Sequence, residues 1–270
     1  MSYQKHLHLP TNTKGQDYIV GDLHGHYDIL MELLSRINFN PEVDRLISCG
    51  DMIDRGPDSL KCAELIYEDY FYCTLGNHEL MMIQSILKGN SQYHETWIYN
   101  GGLWHKAYSK EELTQLAWDI AHKPLIISVG ENENRFNITH AELVAYNHYH
   151  ELQLIDNSWI DDWKFNSGQE DDILWGRQIF NAHWSYHQNK RIFTKRQFHS
   201  NQLSPTYVGH TMTQNSDLIQ FQQHIYLDTG ISLGNKLSIA SPTLNKYFQL
   251  DHKHFLTTKN LNDITKINTP

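Results

Sequence analysis

The sequence predicts an α/β fold, because strand-like and helix-like segments alternate through the first third of the chain. Three short apolar or aromatic runs, at residues 17–20, 44–49 and 71–75, each end at a glycine-containing turn. The segment 27–37 has apolar residues at helical spacing, and we expect two further helices at 59–67 and 79–87. Strands that alternate with helices in this way are typical of parallel pairing within one sheet.

The middle of the chain predicts a helix, a hairpin and a long loop. We expect the helix at 111–121 and two strands, 125–129 and 135–139, that pair across the turn at 130–134. Residues 146–168 are polar and aromatic-rich without a clear period. We therefore expect a long loop there, close to the functional site.

The last part of the chain predicts closing strands and a polar extension. The strands are expected at 207–208, 225–227, 236–240 and 246–250. Residues 251–270 are rich in Lys, Asn and Thr, so we expect them to cover a sheet edge or to fray. No repeat or linker composition interrupts the chain, and residues 1–270 are predicted to form a single domain.

The composition argues against several classes of function. The chain has 270 residues and a formal net charge of −9, whereas proteins that bind phosphate backbones broadly need a basic face. No apolar run approaches the ~20 residues of a membrane-spanning helix, and the first ten residues lack the apolar core of a signal peptide. The three cysteines have no C-x-x-C spacing. We expect a cytoplasmic protein with neither nucleic acid nor membrane as a partner.

Metal-binding side chains follow the first three predicted strands, in the blocks GDLHG (21–25), GDMIDRG (50–56) and GNHE (76–79). Asp22 and His24 are two positions apart, so in extended backbone they point the same way and can bind one ion together. Asp51 has two carboxylate oxygens that can bridge two ions, and Asn77 offers an amide oxygen. Hard oxygen with imidazole suits Mn²⁺, Fe or Zn²⁺ better than Ca²⁺.

Two later histidines also follow predicted strands. His140 comes after 135–138 and His210 comes after 207–208, so both are candidates to bind a second ion. Two ions about 3.5–4 Å apart can hold the phosphate oxygens and generate a bridging hydroxide for in-line attack. A lone Asp-x-His, or a lone His after a strand, is more often a turn or a satisfied polar residue. Five such strand ends together predict a two-metal site.

The three blocks resemble the G-D-x-H-G, G-D-x-x-D-R-G and G-N-H-E signatures of the PPP-type metallophosphatases. Within that family the chain is most similar to the small bacterial and phage-lambda-type serine/threonine protein phosphatases. The resemblance extends from about residue 18 to about residue 239, through Trp175-Gly176-Arg177. It implies the calcineurin-like metallophosphatase fold: a β-α-β-α-β core in a two-sheet sandwich flanked by helices, with a dimetal site at the strand ends.

The resemblance implies a role for each site residue. Two divalent metal ions, with Mn²⁺ expected and Fe or Zn²⁺ as alternatives, would be bound by Asp22, His24 and Asp51 at one position and by Asp51, Asn77, His140 and His210 at the other. Asp54 and His78 would form a dyad in which His78 protonates the leaving alkoxide, since such a leaving group needs a proton.

Substrate phosphate would be bound by Arg55 and Arg177, together with Asn77, because a planar guanidinium binds phosphate through two hydrogen bonds. Two other interpretations remain open. Arg55 could instead form a salt bridge to Asp54 or Asp58, and Arg177 could be a solvated helix residue. The lambda-type pattern usually has an arginine directly before Gly-Asn-His-Glu, where this chain has Leu75. A clamp of three arginines would be reduced to two, which affects substrate choice.

The expected function is that of a metal-dependent phosphomonoesterase, a serine/threonine protein phosphatase that acts on a phosphorylated protein or peptide and on small phosphoesters. The alternative is a dinucleoside polyphosphate hydrolase resembling the symmetrical diadenosine tetraphosphate hydrolases. The apolar Leu75 favours that branch, whereas Asp54, which those enzymes usually lack, argues against it. A non-catalytic binding module would lack a ligand or the acid, and neither is missing here.

Overall fold

The computed structural model describes residues 4–146, 152–182 and 202–267, which form two mixed sheets flanked by helices. The strands in chain order are β1 (Gln4–Leu9), β2 (Asp17–Val20), β3 (Arg45–Ser48), β4 (Phe71–Cys73), β5 (Pro124–Val129), β6 (Phe136–Thr139), β7 (Val144–Tyr146), β8 (Leu152–Leu154), β9 (Thr206–Val208), β10 (Ile219–Phe221), β11 (His224–Tyr226), β12 (Lys236–Ser241), β13 (Lys246–Asp251), β14 (Leu256–Asn260) and β15 (Thr265–Ile267). The α-helices are α1 (Tyr27–Arg36), α2 (Ser59–Glu64), α3 (Asn77–Lys88), α4 (Ser91–Tyr99), α5 (Lys110–Ile120), α6 (Asn157–Asp161) and α7 (Ser167–Trp175).

The six-stranded sheet has the order β14-β13-β12-β2-β3-β4. Its strands β2, β3 and β4 are parallel, with Val20 opposite Ser48 and Ser48 opposite Cys73. Every residue of β2 is buried, which explains why that run shows no alternation of apolar and polar residues. Helix α1 packs Leu30 and Leu33 into the same apolar cluster as Val20. The predicted β-α-β-α-β core is therefore confirmed.

The seven-stranded sheet has the order β1-β5-β6-β9-β11-β10-β15. β5 and β6 form the predicted antiparallel pair, and β6 then pairs in parallel with β9. One apolar cluster joins Ile19 and Ile47 of the first sheet to Ile127 and Ile138 of the second. The two sheets thus share a core, which confirms the predicted sandwich.

The long loop predicted for 146–168 is wrong for most of its length. Residues 147–151 lie outside the described part of the chain, but 152–168 contain β8, α6 and the start of α7. Phe165 is buried in the core, and Trp159 and Trp163 pack against it. The aromatic residues that obscured any period are therefore core contacts, and none of the described residues in this segment lines the cavity described below.

The polar extension covers sheet edges, as one of the two predicted alternatives stated. β14 pairs with β13 at the edge of the six-stranded sheet, and β15 pairs with β10 at the edge of the other. In the described part of the chain, no helix combines the length and apolar character that a membrane crossing requires. The single-domain organisation stays a prediction.

Candidate active site

The predicted ligands meet where strands of both sheets end. β2, β3 and β4 lead into the turns that carry Asp22, Asp51 and Asn77, while β6 and β9 lead to His140 and His210. None of these five residues is more than 8% exposed. The fold therefore brings residues from distant parts of the chain to one buried point at the edge of the sandwich.

Asp51 lies at the centre of this cluster. His140 Nε2 is 3.4 Å from Asp51 Oδ1, and His24 Nε2 is 3.8 Å from Asp51 Oδ2. Asn77 Oδ1 lies 2.7 Å from His140 Nε2 and 3.0 Å from His210 Nδ1. Although burial acts against it, the surrounding imidazoles lower the pKa of Asp51. The carboxylate is ionised and presents one oxygen to each side of the cluster.

Asp22 is fixed by the backbone of the turn that follows β9. Its two carboxylate oxygens accept the His210 backbone N–H at 2.9 and 3.1 Å, and Oδ2 lies 3.8 Å from His24 Nε2. A Cβ at Gly209 would overlap Asp22 Oδ1, so this turn requires glycine. Burial and the nearby carboxylates of Asp228 and Asp51 raise the pKa of Asp22, a shift that a bound cation would oppose.

The histidines offer neutral nitrogen donors to the cluster. His24 Nδ1 donates to the Ile53 carbonyl at 3.0 Å and His140 Nδ1 donates to the Cys49 carbonyl at 2.9 Å. Each ring therefore directs its Nε2 lone pair at the carboxylates. Burial lowers the pKa of His24, His140 and His210 and favours the neutral form that a metal ligand needs, although the charge of Asp51 opposes this shift. Carboxylate, amide and neutral imidazole donors in one cluster fit divalent transition-metal ions.

Two sets of possible ligand atoms share Asp51. Atoms of Asp51, His140 and His210 lie within 4.8 Å of one another, and so do atoms of His24, Asp51 and His78. The second set contains His78, which the sequence predicts to be a proton donor rather than a ligand. His78 Nδ1 is held by Asp54 Oδ2 at 2.5 Å, so only its Nε2 faces the cluster.

The Asp54 carboxylate accepts hydrogen bonds from His78 and from two indole N–H groups. Trp97 Nε1 donates to the Asp54 carboxylate oxygens at 2.9 and 3.0 Å, and Trp104 Nε1 donates to Oδ1 at 2.6 Å. Although burial acts against it, Asp51 and Asp54 raise the pKa of His78, which favours the imidazolium form. The sequence showed the two tryptophans on either side of Asn100-Gly101-Gly102, but only the fold reveals their common partner.

The two predicted arginines lie at the mouth of the cluster. Arg55 donates to His24 Nε2 at 2.7 Å, and its Nη2 lies 3.0 Å from His78 Nε2, which can accept a hydrogen bond from it only while that nitrogen is unprotonated. The salt bridge considered for Arg55 is not formed. Arg177 follows α7 rather than lying within it, and donates to His210 Nε2 and to the His210 carbonyl, both at 3.1 Å. Both guanidinium groups face an open cavity where an incoming anion can reach them.

That cavity has a volume of about 420 Å³ and contains most of the predicted site residues. Its walls include Asp22, Asp51, Arg55, Asn77, His78, Arg177, His210 and Asp228, with Asn100, Trp175 and Leu233 farther out. Leu75 does not contribute to them. It is 0% exposed and packs in the apolar core, so the position where the lambda-type pattern has an arginine adds no cation to the cavity, and its effect on substrate choice stays a prediction.

Two further carboxyl groups of the site were missed from the sequence. Glu79 accepts the backbone N–H groups of Asp51, Met52 and Gly76 at 2.9, 2.8 and 3.0 Å, which fixes the second and third blocks to each other. Burial and Asp51 raise the pKa of Glu79 to about 7. Asp228 lines the cavity, and burial raises its pKa to about 6. The only signal for Asp228 was its place in Leu-Asp-Thr-Gly.

Comparison with known proteins places this geometry in a family. The calcineurin-like phosphoesterase family matches residues 18–214. The serine/threonine-protein phosphatase 2 of Salmonella typhimurium is 28% identical over 230 residues, which cover 82% of this chain and 90% of that protein. The symmetrical bis(5'-nucleosyl)-tetraphosphatase of Pseudomonas entomophila is 47% identical over 68 residues, which make up 24% of each chain.

The fold has a solved counterpart in a protein serine/threonine phosphatase from Saccharomyces cerevisiae. The TM-score is 0.53 at 14% sequence identity, over 98% of this chain and 84% of that one. This likeness concerns the fold, whereas the family match covers most of the sequence and all six predicted ligands up to His210. The chain therefore belongs to the calcineurin-like phosphoesterase family, whose fold implies two divalent metal ions at this cluster and makes the protein a metallophosphoesterase.

Proposed function

We propose that the protein is a serine/threonine protein phosphatase that hydrolyses phosphoserine and phosphothreonine in proteins or peptides. The observation that carries the proposal is the 2.5 Å contact between Asp54 and His78 beside the Asp51 cluster. A serine or threonine alkoxide is a poor leaving group, and an oriented imidazolium can protonate it. The similarity to a serine/threonine-protein phosphatase over 82% of the chain supports the same substrate class.

The metal ions would be bound by Asp22, His24 and Asp51 on one side, and by Asp51, Asn77, His140 and His210 on the other. We favour Asp22 over His78 as a ligand because Asp51 and Asp54 raise the pKa of His78 although burial opposes them, and a protonated imidazole has no lone pair for a metal ion. Mn²⁺ is the proposed metal, with Fe or Zn²⁺ as alternatives, because the donors combine carboxylate, amide and imidazole. When bound, the ions would supply an activated water and offset the charge of the phosphate oxygens.

Arg55 and Arg177 would bind the phosphate oxygens, together with the Asn77 amide. The two guanidinium groups line the same cavity as His78, Arg55 from the turn after β3 and Arg177 from the segment after α7, so a phosphate between them would lie next to the proton donor. Arg55 would release its contacts with His24 and His78 in exchange for phosphate, which accepts stronger, charge-assisted hydrogen bonds.

A dinucleoside polyphosphate hydrolase is the second candidate. The 47% identity to a symmetrical bis(5'-nucleosyl)-tetraphosphatase favours it, but that likeness covers 24% of the chain. The phosphoester of a phosphorylated peptide and a phosphoanhydride of a dinucleoside polyphosphate would use the same metals and arginines. The free cysteines in the described residues are all buried, which is consistent with the cytoplasmic location that we propose.

A substrate panel with added Mn²⁺ tests the proposal. It compares phosphoserine, phosphothreonine and phosphotyrosine peptides with diadenosine tetraphosphate, at equal concentrations. We expect kcat/KM to be highest for the phosphoserine and phosphothreonine peptides. A higher value for diadenosine tetraphosphate would establish the second candidate, and a preference for phosphotyrosine would remove the need for a strong proton donor.

A further inference from the structure

Glu142 is a buried carboxylate close to the site that the roles assigned above do not use. It is 0% exposed and lies two residues after His140, in the short connection between β6 and β7. Its surroundings are apolar, with Ile179, Phe180 and Tyr226 in the adjoining cluster. A charge buried in such a place is costly unless it is fully hydrogen-bonded. Its partners therefore indicate what it contributes.

Three groups donate hydrogen bonds to the Glu142 carboxylate. Oε2 accepts the Ile179 backbone N–H at 2.7 Å, and Oε1 accepts the Phe180 backbone N–H at 2.9 Å and the Tyr226 hydroxyl at 2.7 Å. Residues 178–182 are helical, so the two backbone groups belong to a first helical turn, whose N–H groups have no partner within the helix. The carboxylate completes that turn from a different part of the chain.

The residue that precedes this turn is Arg177. The Arg177 carbonyl accepts the Asn181 N–H at 2.8 Å, so Arg177 is the first residue to enter the helix. Its guanidinium reaches His210 through both Nε and Nη2. Tyr226, the third partner of Glu142, lies opposite Val208 on β9, two residues before His210. One buried carboxylate thus ties the backbone that carries Arg177 to the strand that carries His210.

We propose that Glu142 is a positioning residue that sets the place of the Arg177 guanidinium for phosphate binding. The inference rests on the proposed function in one respect, the binding of phosphate by Arg177. Among the described residues, Glu142 accepts hydrogen bonds from the Ile179 and Phe180 backbone and from Tyr226, none of which is a predicted metal ligand. It acts by holding the backbone of residues 177–180, and the loss of that hold displaces a guanidinium that must meet phosphate with defined geometry.

A double-mutant cycle with inorganic phosphate as the probe tests the proposal. The inhibition constant of phosphate and the KM and kcat for p-nitrophenyl phosphate are measured in wild type, Glu142→Gln, Arg177→Ala and the double variant, all with Mn²⁺. We expect Glu142→Gln to raise the phosphate inhibition constant and KM roughly 10- to 100-fold, with a smaller change in kcat. The double variant should match Arg177→Ala, because the guanidinium that Glu142 positions is already absent.

Matched variants separate positioning from stability. Glu112 completes the first turn of α5 through Ser109 and is not among the residues that line the cavity, so Glu112→Gln should change neither constant. Tyr226→Phe removes one of the three donors to Glu142 and should raise the phosphate inhibition constant by a smaller factor. If Glu142→Gln unfolds, Tyr226→Phe carries the same test.

Additive losses in the double variant, or an unchanged phosphate inhibition constant in Glu142→Gln and Tyr226→Phe, would overturn the inference. The proposed function fails separately, by the preference of the wild-type enzyme in the peptide panel. Because p-nitrophenyl phosphate needs no particular peptide or nucleotide, the Glu142 result is readable whichever substrate class that panel identifies.

Discussion

Asp51 belongs to both sets of possible metal ligands. Its Oδ1 faces His140 and its Oδ2 faces His24, and Oδ1 also accepts the His78 backbone N–H at 3.0 Å. No other residue in the described chain belongs to both sets of possible ligand atoms. The sequence already singled it out, because a carboxylate at a strand end between two metal-binding blocks is suited to bridging.

We predict that Asp51→Asn abolishes turnover and weakens binding of both metal ions, since an amide has one oxygen where the bridge needs two. Metal content after gel filtration and calorimetric titration with Mn²⁺ measure the effect. Asp58→Asn is the control, because Asp58 pairs with Lys61 outside the cluster. An active Asp51→Asn enzyme with two bound metals would refute the bridging role.

His78 gives a prediction that depends on the leaving group. His78→Asn should lower kcat by ~10²–10⁴ for a phosphoserine peptide, the usual range for the loss of a general acid. The loss should be smaller for p-nitrophenyl phosphate, whose leaving group needs little protonation. Steady-state kinetics on both substrates provide the measurement, and equal losses would argue against a proton-donating role for His78.

Leu75 occupies a buried position where the lambda-type pattern usually has an arginine. It follows β4 directly, its N–H donates to the Pro124 carbonyl at 2.8 Å, and its side chain points into the core. We predict that Leu75→Arg loses about 3–5 kcal/mol of unfolding free energy, because a guanidinium would be buried without a partner. Leu75→Met should lose less than about 1.5 kcal/mol. Urea unfolding compares the two, and a stable, more active Leu75→Arg would show that an arginine at this position can reach the cavity.

Some helices and strands could be predicted from the sequence and others could not. β2, β3 and β4 were predictable because each is a short apolar run that ends in a motif, and the intervening helices keep a clear period. α6 and α7 were not, because Trp159, Trp163 and Phe165 give the segment aromatic residues at no regular spacing. β1 was missed because its pattern is mostly exposed and gains its order from pairing with β5.

The segment that follows α3 contributes to the site in a way that the sequence alone could not predict. α4 and the 3₁₀ helix Gly102–Ala107 bring Trp97 and Trp104 against Asp54 from one side. Neither indole belongs to a metal-binding block, so only the packing of α4 on α3 reveals their function. Glu142 and Glu79 were hidden for the same reason, since their partners are backbone N–H groups of distant segments.

We predict that Trp104→Phe lowers kcat for the phosphoserine peptide about tenfold, because a hydrogen bond to a carboxylate contributes ~1.5–3 kcal/mol and here orients the partner of His78. The fold should persist, because the aromatic ring is retained. Trp118→Phe is the control, since Trp118 is 51% exposed on α5. Steady-state kinetics measure kcat for both variants, and circular dichroism checks that both are folded. Equal kcat in the two would show that the indole N–H does not support the dyad.

At the scale of the whole molecule, the site requires a fixed placement of two sheets. Asp22, Asp51 and Asn77 come from one sheet, and His140 and His210 come from the other. The polar C-terminal segment crosses between them, because β14 extends the first sheet and β15 extends the second. Asp217 reinforces this junction by accepting hydrogen bonds from Tyr247 on β13, at 2.7 Å, and from Lys259 on β14.

The pH dependence of stability tests this junction. Although partial burial acts against it, Lys259 and Tyr247 lower the pKa of Asp217 below its ordinary value. A carboxyl group whose pKa is lower in the folded state contributes stability above its unfolded pKa of ~3.9 and loses it as pH falls through the folded pKa. Because Asp217 and Lys259 are about one third exposed, solvent screening limits the contribution to about 1 kcal/mol or less.

We therefore predict that Asp217→Asn lowers the Tm by up to about 2–4 °C at pH 7, and that the difference from wild type shrinks as the pH is lowered towards and below ~4. Asp162→Asn is the matched control, because its ion pair with Lys164 is more exposed and joins no strands. Scanning calorimetry at several pH values measures both. If Asp217→Asn behaves like Asp162→Asn at pH 7, the junction depends on the pairing of β14 and β15 alone, and the ion pair adds nothing to the placement of the two sheets.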